Sequence, residues 1–487
     1  MRRALHTVLG LAAAACVGLL QPFPVAGEAD ATPVTVTNGV QFTDSAGDVL
    51  HGHDGGMIKV GGYYYWFGEN PYPNNRFRYI SVYRSTDLRT WEFRNNVLTE
   101  ASAPELRVAA ALWQPKVIYN DRIKQYVLWM RKEKKEGDSS EGRVAVAASL
   151  TVDGDYKYWG SFRPLGVKSF DVAVFRDDDG SAYLTSTTNE QKDLTIFRLT
   201  PNYLRVAARV ATLRGVRRQA PAMFKRNGVY FLVTSGVTGW QPNQAKYATA
   251  TSIAGPWSDL ANVGDSIAYG SQVSSVLPVQ GSDTTSYLYM GDRHGNAWGG
   301  KVKDSEYVWL PLSFPSDRSL LMSWYPRVSI DTATGVVAGV GSGSAYEELR
   351  AQHSGKCLTV PSSSTADGAR VTQQNCGTAA DQNQHWQVLD LGTGYYRLIA
   401  RHSHKCLTVP SSSTADGVPV TQQNCGTGAN QQWDIINVRG GGLLTARHSG
   451  KCLDIRYGST RAGARAIQYT CQKGSASQQW QRAAAPY

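Results

Sequence analysis

Six cysteines in the last third of the chain restrict what it can fold into more than any other feature. They pair by position as Cys357/Cys376, Cys406/Cys425 and Cys452/Cys471, with 19 positions between the members of each pair. Each pair lies in a copy of one segment. His353-Ser354-Gly355-Lys356-Cys357-Leu358 recurs as His402-Ser403-His404-Lys405-Cys406-Leu407 and as His448-Ser449-Gly450-Lys451-Cys452-Leu453. The copies close on Gln384-His385-Trp386, Gln431-Gln432-Trp433 and Gln478-Gln479-Trp480, and they start 49 and then 46 residues apart. An even cysteine count at one repeated spacing reads as three local disulfides of an exported, oxidised domain. Zinc is the rival reading, but its ligands come in close pairs such as CxxC, and none occurs here. Alternating apolar residues, Gly-rich turns and no helical period make each copy a small set of strands. One copy cannot bury its apolar face alone, whereas three closing around a pseudo-threefold axis share one core.

Cys-Leu-(Asp/Thr), a second Cys and Gln-x-Trp in triplicate resemble the ricin B-type β-trefoil lectins, carbohydrate-binding module family 13, over residues 345–487. The resemblance implies a sugar site in each repeat. An Asp after Cys-Leu accepts sugar hydroxyls, an aromatic residue two positions before the second Cys stacks on the ring, and an Asn/Gln pair closes the pocket. The third repeat keeps most of this as Asp454, Tyr469 and Gln478, although Ile467 stands in a usual Gln slot and Ser477 where Asn383 and Asn430 stand in the other copies. Thr359 with Gln374 and Thr408 with Gln423 fill the first and second repeats, so the third is the expected sugar site. The alternative for Asp454 and Tyr469 is an exposed loop. Trp386, Trp433 and Trp480 are read as core.

Residues 32–344 carry a looser repeat. Tyr63-Tyr64-Tyr65-Trp66, Gln125-Tyr126-Val127-Leu128, Ala182-Tyr183-Leu184, Val229-Tyr230-Phe231-Leu232 and Ser286-Tyr287-Leu288-Tyr289 are aromatic strand starts, with steps of 62, 57, 47 and 57 between their central tyrosines. Several lead to a second strand ending in a turn and Trp, as in Ser85-Thr86-Asp87-Leu88-Arg89-Thr90-Trp91. Units of this size without an amphipathic helix between them predict an all-β chain, a five-bladed β-propeller followed by the β-trefoil, with ligand at the propeller axis.

Asp54-Gly55-Gly56-Met57-Ile58, Gln114-Pro115-Lys116, Phe170-Asp171-Val172, Gln219-Ala220-Pro221 and Gly291-Asp292-Arg293, in that order, resemble glycoside hydrolase family 43, most closely its exo-β-1,3-galactanase branch. The resemblance implies a hydrolase that inverts the anomeric centre, with one carboxylate activating water and another group protonating the leaving oxygen. Asp54 stands at the base position and Asp171 at the position that modulates the acid's pKa. Where the family has its acid Glu this chain has Gln219, and the galactanase branch has a further Glu where this chain has Gln114. An amide does not deliver a proton as a carboxylic acid does. Glu69, read as ending the first strand of the first blade, is the nearest substitute acid and Asp292 a second. Gln272 matches a Gln beneath the anomeric carbon in that branch. Trp240 is either a stacking wall for a pyranose or ordinary propeller packing. His294 is either an axial ligand to a structural calcium in the channel or a hydrogen-bonded core residue, and no other cofactor is implied. Asp177-Asp178-Asp179-Gly180 reads as a hairpin turn rather than a metal loop.

Arg2 and Arg3 before the apolar run Val8 to Leu20, then Ala29-Asp30-Ala31, match a secretory signal peptide over residues 1–31, so the expected location is extracellular. No stretch approaches the length that spans a bilayer. The chain is 18% charged and 10% aromatic with 48 Gly, a profile common among secreted, strand-rich carbohydrate-handling proteins. Its net charge of +11 is spread along the 487 residues, which argues against nucleic acid. The tightest basic group, Arg131-Lys132-Glu133-Lys134-Lys135, alternates with acids and reads as a solvated loop. The partner expected is a polysaccharide or oligosaccharide, met by a monomer. Two functions stay open: an exo-acting glycosidase on galactose- or arabinose-containing polysaccharide, tethered by its lectin module, or a carbohydrate-binding protein on a family 43 scaffold that has lost its acid.

Overall fold

A computed structural model describes residues 32–107, 110–135, 137–265, 267–298, 300–341, 346–390, 394–426, 428–438, 441–472 and 474–485. The expected signal peptide and the expected boundary at 344/345 lie outside them. Apart from short 3-10 turns, the described elements are all strands.

Five four-stranded antiparallel meanders come first. The first sheet is His53–Val60, Tyr63–Asn70, Tyr79–Ser85 and Glu92–Thr99; the second is Ala111–Asn120, Gln125–Glu133, Arg143–Ser149 and Lys157–Phe162. The third is Val172–Arg176, Ala182–Thr188, Asp193–Leu199 and Val206–Leu213; the fourth is Arg218–Arg226, Val229–Gly236, Lys246–Ala250 and Ala261–Asn262. The fifth is Gln272–Gln280, Thr285–Arg293, Glu306–Ser316 and Ser319–Met322. Tight turns make the meanders. Asn227 and Gly228, both at positive φ (49° and 75°), form the two-residue hairpin between the first two strands of the fourth sheet. The Asp177 turn is likewise a hairpin, with the Asp177 N–H donating to Ser181 O and the Gly180 N–H to Asp177 O.

The first strands of these sheets pack on one another in sequence, and that of the fifth returns to that of the first. The apolar cores lie in the seams between neighbouring sheets. Phe67, Val82, Leu128 and Met130 fill the first seam, and Trp129, Val146, Leu184 and Phe197 the second. Trp66, Trp91, Leu288 and Trp309 close the fifth sheet onto the first. Packing at the seams leaves an axial channel, the arrangement of a β-propeller. Where five sheets were expected, the described residues of this segment form six. The sixth has three strands, Val34–Thr37, Arg327–Ile330 and Val337–Val340, and its Val36, Val328 and Ile330 add to the closing seam.

The aromatic runs of the sequence fall on the second strand of each sheet, so Glu69 ends a second strand and not a first. The Arg131–Lys135 group is not a solvated loop. Arg131, Lys132 and Glu133 complete a strand of the second sheet, and Lys132 and Glu133 are buried.

The C-terminal strands form one closed β-trefoil sheet around a core that draws equivalent residues from each repeat, among them Leu358, Leu407 and Leu453 with Trp386, Trp433 and Trp480. Each indole N–H donates to a backbone carbonyl of its own repeat, Leu358, Leu407 or Leu453. Such a buried, satisfied donor is structural, as expected. The three disulfides join Cys357 to Cys376, Cys406 to Cys425 and Cys452 to Cys471.

Candidate active site

The inner strands are interrupted where they reach one mouth of the channel. The ladder slips between His53 and Gly56, between Trp113 and Lys116, and between Gln219 and Ala222. Inside these bulges Asp54, Gln114 and Ala220 adopt positive φ of 50°, 59° and 48°. A bulge with a left-handed residue turns a side chain out of the pleat, here toward the channel axis, and such strain persists where surrounding contacts enforce it. Gly55 is required beside Asp54, because a Cβ there would lie 1.6 Å from the Phe67 carbonyl oxygen.

The bulges frame a cavity of about 250 Å³ lined by Asp54, Gln114, Asp171, Gln219, Trp240 and Gln272, with Trp113, Arg131, Gln191 and His294 among its further walls. Six of the expected site residues, from four sheets, the turn that leads into the third sheet and the Trp240 loop, therefore meet around one space. Glu69 and Asp292 are not among the lining residues. Glu69 is buried and accepts the Gln114 N–H at 2.8 Å. Asp292 is 2% exposed and accepts the Asp54 N–H through Oδ2. Both back the cavity rather than face it.

The two lining carboxylates differ. Asp171 Oδ1 accepts from Arg131 at 2.9 Å and Oδ2 from the Ala220 N–H at 2.9 Å, so both oxygens are engaged and the group is oriented. Arg131 lies over the Trp113 and Phe170 rings and also reaches Glu133 at 3.3 Å. Asp54 has His294 Nε2 3.6 Å from its Oδ1, and the imidazole packs edge-on against Trp240. Behind it, burial first and the Asp54 charge second push the Asp292 carboxyl well above the usual range.

Gln219 is anchored as an amide. Its Nε2 donates to Gln272 Oε1 at 2.9 Å and to Gly239 O at 3.1 Å, while Gln272 Nε2 donates to Gly239 O and Gln241 O, each at 2.7 Å. Gln114 Oε1 accepts the Val172 N–H at 2.7 Å. The cavity wall thus holds the Asp54 carboxylate with His294 beside it, the Asp171 carboxylate held by a guanidinium, and the anchored amide of Gln219.

Arg131 is the residue that sequence reasoning missed. Its signal was the alternation Val127, Trp129, Arg131, Glu133, which extends the strand through the charged group and puts Arg131 on the face of Trp129.

In the trefoil, Asp454 Oδ2 accepts from Gln478 Nε2 at 3.0 Å, and Oδ1 is buried without a partner among the described residues. Tyr469 pairs with Cys452 across the hairpin and is half-buried. Gln478 is fully buried and spends its amide on Asp454, Thr470 O and the Gln472 N–H, so it braces Asp454. In the first two repeats Thr359 and Thr408 turn their hydroxyls to their own strand, onto Cys357 O and Cys406 O.

Comparison with known proteins agrees with this geometry. Residues 49–272 match the model of glycosyl hydrolases family 43, and 336–423, 382–469 and 429–486 match the ricin-type β-trefoil lectin domain-like model. A crystal structure of an exo-β-1,3-galactanase from Clostridium thermocellum is 41% identical, with 93% of this chain and 100% of that chain covered at a TM-score of 0.62. An exo-β-1,3-galactanase from Phanerochaete chrysosporium, a glutamate-to-glutamine variant with β-1,3-galactotriose, is 26% identical, covering 89% and 100% at 0.61. A curated xylosidase/arabinosidase 43B from Humicola insolens is 22% identical over 193 residues, 37% of this chain and 35% of its own length. The chain thus spans about a third of that relative.

Proposed function

Since the chain belongs to family 43 of the glycosyl hydrolases and ends in a ricin-type β-trefoil lectin domain, we propose that this glycoside hydrolase is a secreted, exo-acting enzyme that removes terminal galactose from β-1,3-linked galactan with inversion. The observation that carries the reading is the cavity itself, about 250 Å³ at one end of the channel with Asp54 on its wall and Lys116 filling the channel beneath. A blind pocket of that size takes one terminal sugar ring, which is the geometry of exo-action. Asp54 activates the water, Asp171 with Arg131 fixes the ring of charge around the leaving oxygen, and Trp240 offers a face for the pyranose. The relatives named for exo-β-1,3-galactanase activity support galactan as the substrate. The five four-stranded sheets are the blades, with the three-stranded sheet sealing the closing seam. Three disulfides and a lectin module support an extracellular site of action, where the trefoil holds a monomeric enzyme on its polysaccharide.

Proton delivery is the weak step, because Gln219 is an amide and Glu69 and Asp292 back the cavity. This supports a second reading, a galactan-binding scaffold with little turnover. Galactose release from β-1,3-galactan, followed by NMR of the first-formed anomer, separates the two. Release of the inverted anomer that disappears in Asp54→Asn supports the enzyme, and tight binding without release supports the scaffold.

A further inference from the structure

One of the buried polar groups of the propeller channel is a lysine. Lys116, on the first strand of the second sheet, sends its ammonium into the channel directly beneath the cavity. There Nζ donates to Asp54 O at 2.6 Å, Gly55 O at 2.7 Å and Ser274 O at 2.9 Å. Its three protons meet three backbone carbonyls, two from the first sheet and one from the fifth, so one side chain ties three of the five inner strands together. Ser274 Oγ adds a further bond to Gly55 O at 2.9 Å. Beside it lies a cavity of about 100 Å³ lined by residues of all five inner strands, Lys116 among them.

A calcium ion in the channel, which the family resemblance leaves room for, needs six to eight oxygen ligands at about 2.4 Å. Three carbonyls that meet in the channel, Asp54 O, Gly55 O and Ser274 O, accept from Lys116. A divalent ion among them would sit against a fixed positive charge. His294, the candidate axial ligand, has its Nε2 beside Asp54. Among the described residues, the one cluster whose ligand atoms lie together is Glu348 with Cys357 and Cys376, and those two sulfurs are bonded to each other. The residues present do not fit the ion.

We propose that Lys116 is the resident cation of the propeller channel, standing in place of a structural metal and acting as the positioning residue for Asp54. The Asp54 peptide is gripped on both sides: its N–H donates to Asp292 and its C=O accepts from Lys116. That double grip enforces the positive φ that turns the carboxylate into the cavity. Burial pushes the ammonium down to about 8, with Asp54, Asp292, Glu69 and Asp171 pulling it back up, so it remains largely charged at neutral pH.

The inference concerns the fold and is tested without relying on turnover. The melting temperature of the full chain is expected to stay within about 1 °C in EGTA and in millimolar calcium, since a fold that binds no ion gains nothing from its supply. A fall in EGTA that calcium reverses overturns the proposal. Lys116→Ala, which opens the space of a propylammonium ion, is expected to melt lower and to be raised again by added propylammonium. Lys116→Met, which fills the space without charge, is expected to melt lower with no such rescue. If Lys116→Ala does not fold on its own, its refolding yield with propylammonium reads the same rescue. Rescue absent by both measures, or equal in Lys116→Met, overturns the assignment.

Discussion

Replacing Gln219 by glutamate changes one atom type at the position where the family resemblance expects the acid. The amide nitrogen now donates to two oxygens, Gln272 Oε1 and Gly239 O, at 2.9 and 3.1 Å. An ionised carboxylate would aim negative charge at both of these acceptors, whereas a protonated one keeps one of the bonds. The site therefore favours the acid form and raises the new carboxyl by about two units, a common shift for a carboxyl with acceptors and partial burial against it. At about 1.4 kcal/mol per unit, that is roughly 3 kcal/mol of differential stability. The sign follows from proton linkage. The folded state binds the proton more tightly than the unfolded chain, whose glutamate titrates near pH ~4.3, so the variant is most stable relative to wild type below that pH. It loses the roughly 3 kcal/mol as pH rises from about 4 through the folded value, near 6. Even at low pH it forfeits one hydrogen bond, about 1 kcal/mol. The same raised carboxyl is a general acid, worth about 10²–10⁴ in rate on a natural galactan with a poor leaving group. Urea unfolding at several pH values and galactose release measured side by side check both halves. A Gln219→Glu protein whose stability tracks wild type at every pH, with no gain in release, would falsify the reading of this position as the vacant acid slot.

Four further outcomes follow from the contacts of the cavity and of the trefoil. Asp54→Asn is expected to remove turnover on natural and activated galactosides alike, because the water-activating group is needed whatever the leaving group; activity retained on a nitrophenyl galactoside refutes the assignment. Arg131→Met should leave Asp171 with one oxygen unpaired beside the cavity and lower kcat by about 10-fold or more with a smaller change in KM, the pattern of a lost transition-state contact; Arg131→Lys should recover only part. Cys452→Ser with Cys471→Ser opens a loop of about 20 residues and is expected to cost about 3 kcal/mol in denaturant unfolding of the trefoil, and an unchanged midpoint would contradict that. In the lectin function, Asp454→Ala is expected to abolish most polysaccharide retention in affinity electrophoresis while Thr359→Ala and Thr408→Ala change little, since Asp454 has a buried oxygen without a partner among the described residues whereas the two threonine hydroxyls are spent on their own strands.

Much of this molecule was legible along the chain. A threefold repeat of Cys-Leu, Cys and Gln-x-Trp buries its apolar face by closing on itself, so the shared core and the local disulfides follow from repeat and spacing, and the resemblance to ricin B-type lectins supplies the trefoil and its structural indoles. The order of short motifs from Asp54 to Gln272 named most of the residues that share the cavity. What only the tertiary structure decided is which of them face it. Side chains alternate along a strand, and a single bulge reverses that alternation, so the direction of Asp54 and Gln114 depends on slips in register that the sequence marks only by a following Gly or Pro. Glu69 and Asp292 sit in plausible motifs yet lie behind the wall, because each is taken up by a backbone N–H of a bulge. Arg131 and Lys116 went the other way. Arg131 stands in a stretch that local composition reads as surface, and the neighbouring sheet brings up the Asp171 carboxylate that holds it, whereas the third carbonyl on Lys116 comes only with closure of the ring of sheets, which sets Ser274, 158 positions away, within hydrogen-bond distance.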